Sequence, residues 1–217
     1  MTALYILGIV VEIQQLYYNL NFLFLMDNFF QKSIDEYDGQ RRYEGTIEVN
    51  PNWNVSRITG RFLHFLGFVL GARNILEIGT STGYSTLYFA DLARRNGGKV
   101  YTVESHRERF EMAKSNFENA GAAPFIEQVF GHAPECVDTI PFAGEFDLVF
   151  LDATKLEYES YERAFFPRLR KGGILIADNI MSHREVLGQF AEKMYMREDV
   201  HASLLTMEAG LLLYTKL

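Results

Sequence analysis

Cysteine is nearly missing from this chain: Cys136 is the only one in 217 residues. No intrachain disulfide can form, which fits a reducing, cytoplasmic setting. Cys136 itself reads as a small buried hydrophobe rather than a nucleophile. Basic residues are outnumbered, 21 Lys and Arg against 28 Asp and Glu, for a net charge of −7. That balance exerts no general pull on nucleic acid or an anionic membrane, and DNA is not an expected partner. The densest basic cluster, Arg168, Arg170 and Lys171, reads as a solvated helix end. No basic residue precedes Lys32 and no small-residue cleavage site is evident, so the apolar N-terminus lacks the marks of a secretory signal. Residues 1–25 also lack the unbroken run of about 20 apolar residues that a membrane-spanning helix needs, because Glu12, Gln14, Gln15, Asn19 and Asn21 interrupt them. They are expected to form a helix buried against a partner subunit or the main domain. A membrane-associated segment and an upstream start, with Met26 the natural one, are the other readings. No internal repeat, low-complexity tract or interdomain linker is visible.

What is present is an alternation of short apolar runs with amphipathic stretches. Residues 1–40 read as an N-terminal helical extension suited to oligomerisation, including a short helix from Asp27 to Tyr37, and residues 41–217 as one domain. Asp38 to Asn54 is polar and reads as a loop. Ser56 can cap a helix with Ile58, Phe62, Phe65, Leu66, Val69 and Leu70 on one side, ended by Gly71. Five strands follow at Ile75–Ile78, Val100–Val103, Phe125–Phe130, Leu148–Leu151 and Ile174–Ala177, near-continuously apolar as in a parallel sheet covered on both faces. Ser105-x-x-Glu108 and Ser182-x-x-Glu185 have the spacing of capping boxes; the second opens a helix with Val186, Leu187, Phe190, Ala191 and Met194 on one face. His201–Thr206 and Leu211–Thr215 read as an antiparallel pair at the sheet edge. The fold class is α/β.

The chemistry sits at strand ends. In ILEIGTSTGYS, an apolar strand passes into a glycine loop and then a helix, the layout that brings backbone N–H groups up to a nucleotide-like cofactor. Gly79-x-x-x-Gly83 is not the dinucleotide spacing. It does match the nucleophile elbow G-x-S-x-G of α/β-hydrolases, with Ser81 as nucleophile and Asp152 or Asp178, then His183 or His201, in the right order. Against the hydrolase, little strand-like sequence precedes Ile75, no HGG-type oxyanion segment is present, and Glu77, Glu104 and the Asp178-Asn179 pair would go unexplained. Glu104 closes the next strand, about twenty residues past Gly83, where an acid can accept both hydroxyls of a ribose. Gly131-His132-Ala133 makes a turn that can cover an adenine through its backbone, with the His132 side chain an ordinary exposed turn residue. FDLVFLDATK and KGGILIADN end in Asp152 and in Asp178-Asn179. On neighbouring strands these two carboxylates and one amide would converge as hard oxygen ligands for Mg²⁺ or Ca²⁺. Lys155 lies three residues beyond Asp152, within reach of the same place.

These clusters, in this order, resemble the class I S-adenosylmethionine-dependent methyltransferases, and among them the metal-dependent O-methyltransferases that include the catechol and caffeoyl-CoA enzymes. The resemblance covers about Asn54 to the C-terminus. It implies a Rossmann-like, doubly wound sheet of seven strands, mostly parallel with one antiparallel strand near the edge, and helices on both faces. It implies that Val55, Glu77, Gly79, Thr80 and Ser85 line the methionine part of S-adenosylmethionine, that Glu104 holds its ribose and that Ala133 touches its adenine. Asp152, Asp178 and Asn179 would hold Mg²⁺ or another divalent cation, with Asp152 also at the cofactor, and Lys155 matches the family's proposed base. The expected reaction methylates a hydroxyl of a small, catechol-like acceptor; the alternative acceptor is a hydroxylated uridine in tRNA. His132 and the IMSH segment after Asn179 depart from the family pattern, so a caffeoyl-CoA substrate is not carried over. A homodimer is expected, as is common in the family. Trp53 and Tyr43 fall in a loop expected to wall the acceptor site.

Overall fold

The computed structural model describes residues 32–36, 42–44, 47–49 and 54–217. The expectations for residues 1–25 and for Trp53, and with them the N-terminal basis for a homodimer, lie outside the described residues. Of the helix expected from Asp27 to Tyr37, residues 32–36 are described and helical. The segment read as a loop from Asp38 to Asn54 contains a two-stranded antiparallel pair, β1 (Arg42–Glu44) and β2 (Ile47–Val49).

The main sheet has seven strands: β3 (Asn74–Ile78), β4 (Lys99–Glu104), β5 (Ile126–Phe130), β6 (Phe146–Leu151), β7 (Leu169–Ala177), β8 (Val200–Leu205) and β9 (Leu211–Lys216). Their spatial order is β5-β4-β3-β6-β7-β9-β8. All neighbours are parallel except β9, which runs antiparallel to both β7 and β8. The expected doubly wound architecture is therefore present. The chain starts at the central strand β3, winds outward through β4 and β5, then returns to lay β6 on the other side of β3. Such a reversal leaves a crevice at the carboxyl ends of the strands on either side of it.

Among the residues described from 54 onward, five α-helices cover the sheet: α1 (Arg57–Val69), α2 (Tyr84–Asn96), α3 (Arg107–Asn119), α4 (Tyr158–Phe165) and α5 (Arg184–Tyr195). Strand side chains alternate between faces, so each strand feeds two cores. Ile75, Val100, Leu148 and Phe150 join Leu63, Tyr88, Ala113 and Phe117 beneath α1, α2 and α3. Leu76, Val103, Val149 and Leu175 join Tyr158, Phe165, Phe190 and Met194 beneath α4 and α5. Cys136 is buried in the second core as a free thiol.

Local departures have local causes. Ser56 caps α1 as expected, accepting from Thr59 N at 3.0 Å. The most buried residues of α1 are Thr59, Gly60, Leu63, His64 and Gly67; of the expected apolar side, Phe62, Leu66 and Leu70 are partly buried and pack against the same core, while Val69 is exposed. The two glycines set this orientation: a Cβ on Gly60 would lie 2.4 Å from Tyr88 Cε2, and one on Gly67 2.4 Å from Leu92 Cδ1. Neither expected capping box forms. α3 is capped at His106 and α5 at His183, without a side-chain bond in either case. Glu104 supplies an acceptor to His106 N at 2.8 Å, and Ser182 Oγ turns to His183 Nδ1 at 3.0 Å. Val186, expected on the buried face of α5, is exposed. Arg170 and Lys171 lie in β7 rather than at a helix end, with Arg170 Nε 2.6 Å from Asp147 Oδ1.

Candidate active site

A cavity of about 620 Å³ opens along the carboxyl ends of the parallel strands. Its walls include Val55, Gly79, Glu104, Ala133, Asp152 and Lys155, together with Asp178 and Asn179. Eight residues expected from sequence thus meet in one place. Glu77, Thr80 and Ser85 do not line it; Glu77 and Ser85 are buried at the ends of β3 and α2, and Thr80, in the loop between them, turns its hydroxyl to Thr102 Oγ1 at 2.6 Å.

That loop is held by close approach from both sides. Gly79 has φ 102°, and a Cβ there would sit 2.1 Å from the Asp152 carbonyl oxygen, so only glycine fits where β3 and β6 converge. Gly79 N donates to Val103 O at 3.0 Å and Asp152 N to Ile78 O at 2.9 Å, joining three strand ends. Beneath, Glu77 has no solvent exposure and accepts from Ser85 Oγ and Thr102 Oγ1, each at 2.6 Å, and from Thr86 Oγ1. Burial pushes its carboxyl up to about 7, against the pull of the three hydroxyls.

At one end of the cavity, Glu104 accepts from Ser81 N and from His106 N, both at 2.8 Å. Two backbone donors fix the carboxylate, and each oxygen keeps a lone pair for a further donor such as a ribose hydroxyl. Arg109 and Ser105 stand beside it on the wall.

At the other end, the β6–β7 register pairs Leu151 with Ala177, so the next residues, Asp152 and Asp178, leave the sheet side by side. Asp178 N donates to Leu151 O at 2.9 Å. Tyr158 Oη, from the first turn of α4, bonds both Leu151 O at 3.1 Å and Asp178 O at 3.2 Å and so pins the two strand ends together. Lys155 Nζ lies 2.7 Å from Asp152 Oδ1. Burial, and then the neighbouring Asp152 charge, push the Asp178 carboxyl up to about 7. Two crowded carboxylates beside an amide oxygen form a donor set that a hard divalent cation would relieve. No group of three or more His, Cys, Asp or Glu side chains placed to hold a metal occurs among the described residues. The expected set instead has two carboxylates and Asn179.

Sequence reasoning passed over three participants. Tyr158 is one. The others are Glu208 and Ala209, which reach the cavity from the β8–β9 turn beside His183. Ser81 (φ 50°), Asn179 (φ 66°) and Glu208 (φ 49°) are the non-glycine residues with left-handed backbones among those described, and all three line this cavity. Such strain concentrates where a fold over-determines a working site. The short break Thr206–Gly210 between two apolar runs was the available signal for Glu208, but it reads equally as a plain hairpin turn.

A Rossmann-like sheet with a nucleoside-sized groove at its switch point defines the class of protein. A family profile described as O-methyltransferase matches residues 40–217, and the chain belongs to that family. It is 36% identical over 141 residues to the catechol O-methyltransferase of Mycobacterium tuberculosis, covering 64% of this chain and 62% of that protein. It is 32% identical over 148 residues to caffeoyl-CoA O-methyltransferase 2 of Petunia hybrida, covering 65% of this chain and 61% of that one. The chain thus spans less than two thirds of the curated relatives it matches. Among solved structures, the O-methyltransferase TomG of Streptomyces achromogenes, in complex with SAM, superposes with TM-score 0.72 at 28% identity, over 88% of this chain and 90% of that one. An O-methyltransferase from Bacillus cereus, in complex with SAH, gives 0.72 at 27% identity, over 88% and 92%. The hydrolase alternative fails on family and on topology: among the described residues, the Ser81 loop follows the first strand of the seven-stranded sheet, with no elbow-supporting strand of that sheet before it.

Proposed function

We propose that the protein transfers the methyl group of S-adenosylmethionine to a hydroxyl of a small acceptor with two vicinal oxygens, using a divalent cation such as Mg²⁺. One observation supports this above others: a single groove has a doubly anchored acid, Glu104, at one end and paired strand-end carboxylates, Asp152 and Asp178, at the other. The catechol and caffeoyl-CoA names of the relatives agree with a vicinal diol as acceptor class.

When bound, S-adenosylmethionine supplies an electrophilic methyl carbon, and the cation supplies Lewis acidity that favours a deprotonated acceptor oxygen. The chain does the rest. Glu104 would accept the ribose hydroxyls, while Ala133 and Val55 close apolar contacts over the cofactor. Glu77, Thr80 and Ser85 act from below, holding the glycine loop in the shape that faces the methionine end. Asp152, Asp178 and Asn179 would hold the cation, and Tyr158 keeps the first two in register. Lys155 Nζ stands at Asp152, where, as the neutral amine, it would take the proton released by the acceptor hydroxyl as the methyl moves from sulfur to oxygen. Alignment contributes most of the acceleration, because an in-line displacement needs little covalent help from the protein.

Catechol with Mg²⁺ is the first acceptor to assay, with unmodified and hydroxyuridine-containing tRNA alongside. Asp152→Ala should lower catechol methylation by about 100-fold or more, and a chelator should do the same to the native protein. Full activity of Asp152→Ala with chelator present contradicts the metal-assisted reaction. Methylation confined to the tRNA contradicts the small-acceptor assignment.

A further inference from the structure

The groove contains a polar bridge that the reaction above does not use. His132, in the turn after β5, places Nε2 3.1 Å from the Glu157 carboxylate. Glu157 ends the short 3-10 turn Lys155–Glu157 that leads into α4. One helical turn on, Tyr161 Oη donates to the same carboxylate at 2.6 Å. His132 and Tyr161 line the cavity, whereas Glu157 does not. Burial and then the Glu157 bond hold the Tyr161 phenol well above its ordinary range, so it remains the donor.

The bridge joins the two ends of the site. Gly131, next to His132, donates from N to Glu104 O at 3.0 Å, so the β5 turn moves with the ribose-facing acid. On the other side, Glu157 closes the turn begun by Lys155, whose Nζ lies 2.7 Å from Asp152 Oδ1. The side chains of His132 and Glu157 are 48% and 33% exposed, and ion pairs that open to solvent contribute little to folding. Tyr161, by contrast, is 1% exposed and fixed in the core. The carboxylate therefore ties a surface imidazole to a buried phenol, and what the bridge sets is ring placement on the cavity wall.

We propose that Glu157 is a positioning residue for the cofactor: through His132 and Tyr161 it fixes the wall that closes over the nucleoside half of S-adenosylmethionine. This rests on the cofactor assignment made above. Glu157 acts through His132, so the two side chains form one unit rather than two independent contacts.

The test is calorimetric titration of S-adenosylhomocysteine into the native protein and into Glu157→Ala, Glu157→Gln, His132→Ala and the His132→Ala/Glu157→Ala double variant, each checked by thermal unfolding. Loss of a charge-assisted pair should weaken binding about tenfold in Glu157→Ala. Glu157→Gln keeps an oxygen for Tyr161 and an amide for the imidazole, and should restore affinity to within about threefold of native. The double variant should bind no more weakly than Glu157→Ala, because coupled residues are non-additive. Unchanged affinity in Glu157→Ala, or losses that add in the double variant, would overturn the inference while leaving the cofactor assignment intact. No binding by the folded native protein would overturn both. Should Glu157→Ala fail to fold, His132→Ala against Glu157→Gln decides: equal, native-like affinity in both would also overturn it.

Discussion

Glu77 is an acid with no exposure to solvent, ringed by three hydroxyl donors and directly beneath the glycine loop. Its carboxyl is raised from 4.5 to about 7, so the folded protein holds that proton more tightly than the unfolded chain does. The sign follows. The stability due to this group is fully present below about pH 4.5, falls as pH rises through the window up to about 7, and is gone above it. The total loss is at most roughly 3 kcal/mol. Glu77→Gln should therefore flatten the pH dependence of urea unfolding between those values relative to the native protein. Parallel curves for the two would contradict this reading of Glu77. The same residue shows what a sequence hides: LEIG places an acid before a glycine loop, but not whether it faces the cavity or the core. Its three hydroxyl partners come from α2 and β4, and only the fold brings them under the loop.

At the scale of elements, the strands were legible because each is an apolar run bounded by turn residues, and all seven fall within a few residues of expectation. Helix ends were less so. Ser105 and Ser182 have capping-box spacing, but the helices begin two residues later, after Glu104 and Asn179 have taken the local backbone into other arrangements. The inward side of α1 was legible in part: Phe62 and Leu66 pack against the core as hydropathy suggests, but the most buried line runs through Gly60 and Gly67, which admit the side chains of α2. The β1–β2 pair was missed because its segment is polar and short. Glycines at element junctions divide into two kinds, and this is testable. Gly79→Ala drives a Cβ into the Asp152 backbone carbonyl, which cannot swing aside, and should cost about 2–4 kcal/mol in denaturant unfolding. Gly71→Ala, at φ 64° with nothing within 4 Å of the added carbon, should cost only about 1 kcal/mol. Equal losses in the two variants would show that crowding between β3 and β6 is not what fixes Gly79.

For the whole molecule, topology turns scattered residues into a site. The order β5-β4-β3-β6-β7 places Ala133, Glu104, Gly79, Asp152 and Asp178 along one edge in spatial sequence, although they are far apart in the chain. The strand-end acids could be found in advance because each directly ends an apolar run. Tyr158, Glu157, Tyr161 and Glu208 could not, because their roles depend on which helix or turn returns to the edge, and at what height. The groove that results is polarised, with a nucleoside end and a cation end, and the central claim is that S-adenosylmethionine spans it. Calorimetric titration of S-adenosylmethionine into the native protein in the presence of Mg²⁺ tests this most directly. The account predicts one-to-one binding with a Kd on the order of micromolar, weakened at least about tenfold in Glu104→Ala. No binding by folded protein, or full affinity in Glu104→Ala, would contradict it.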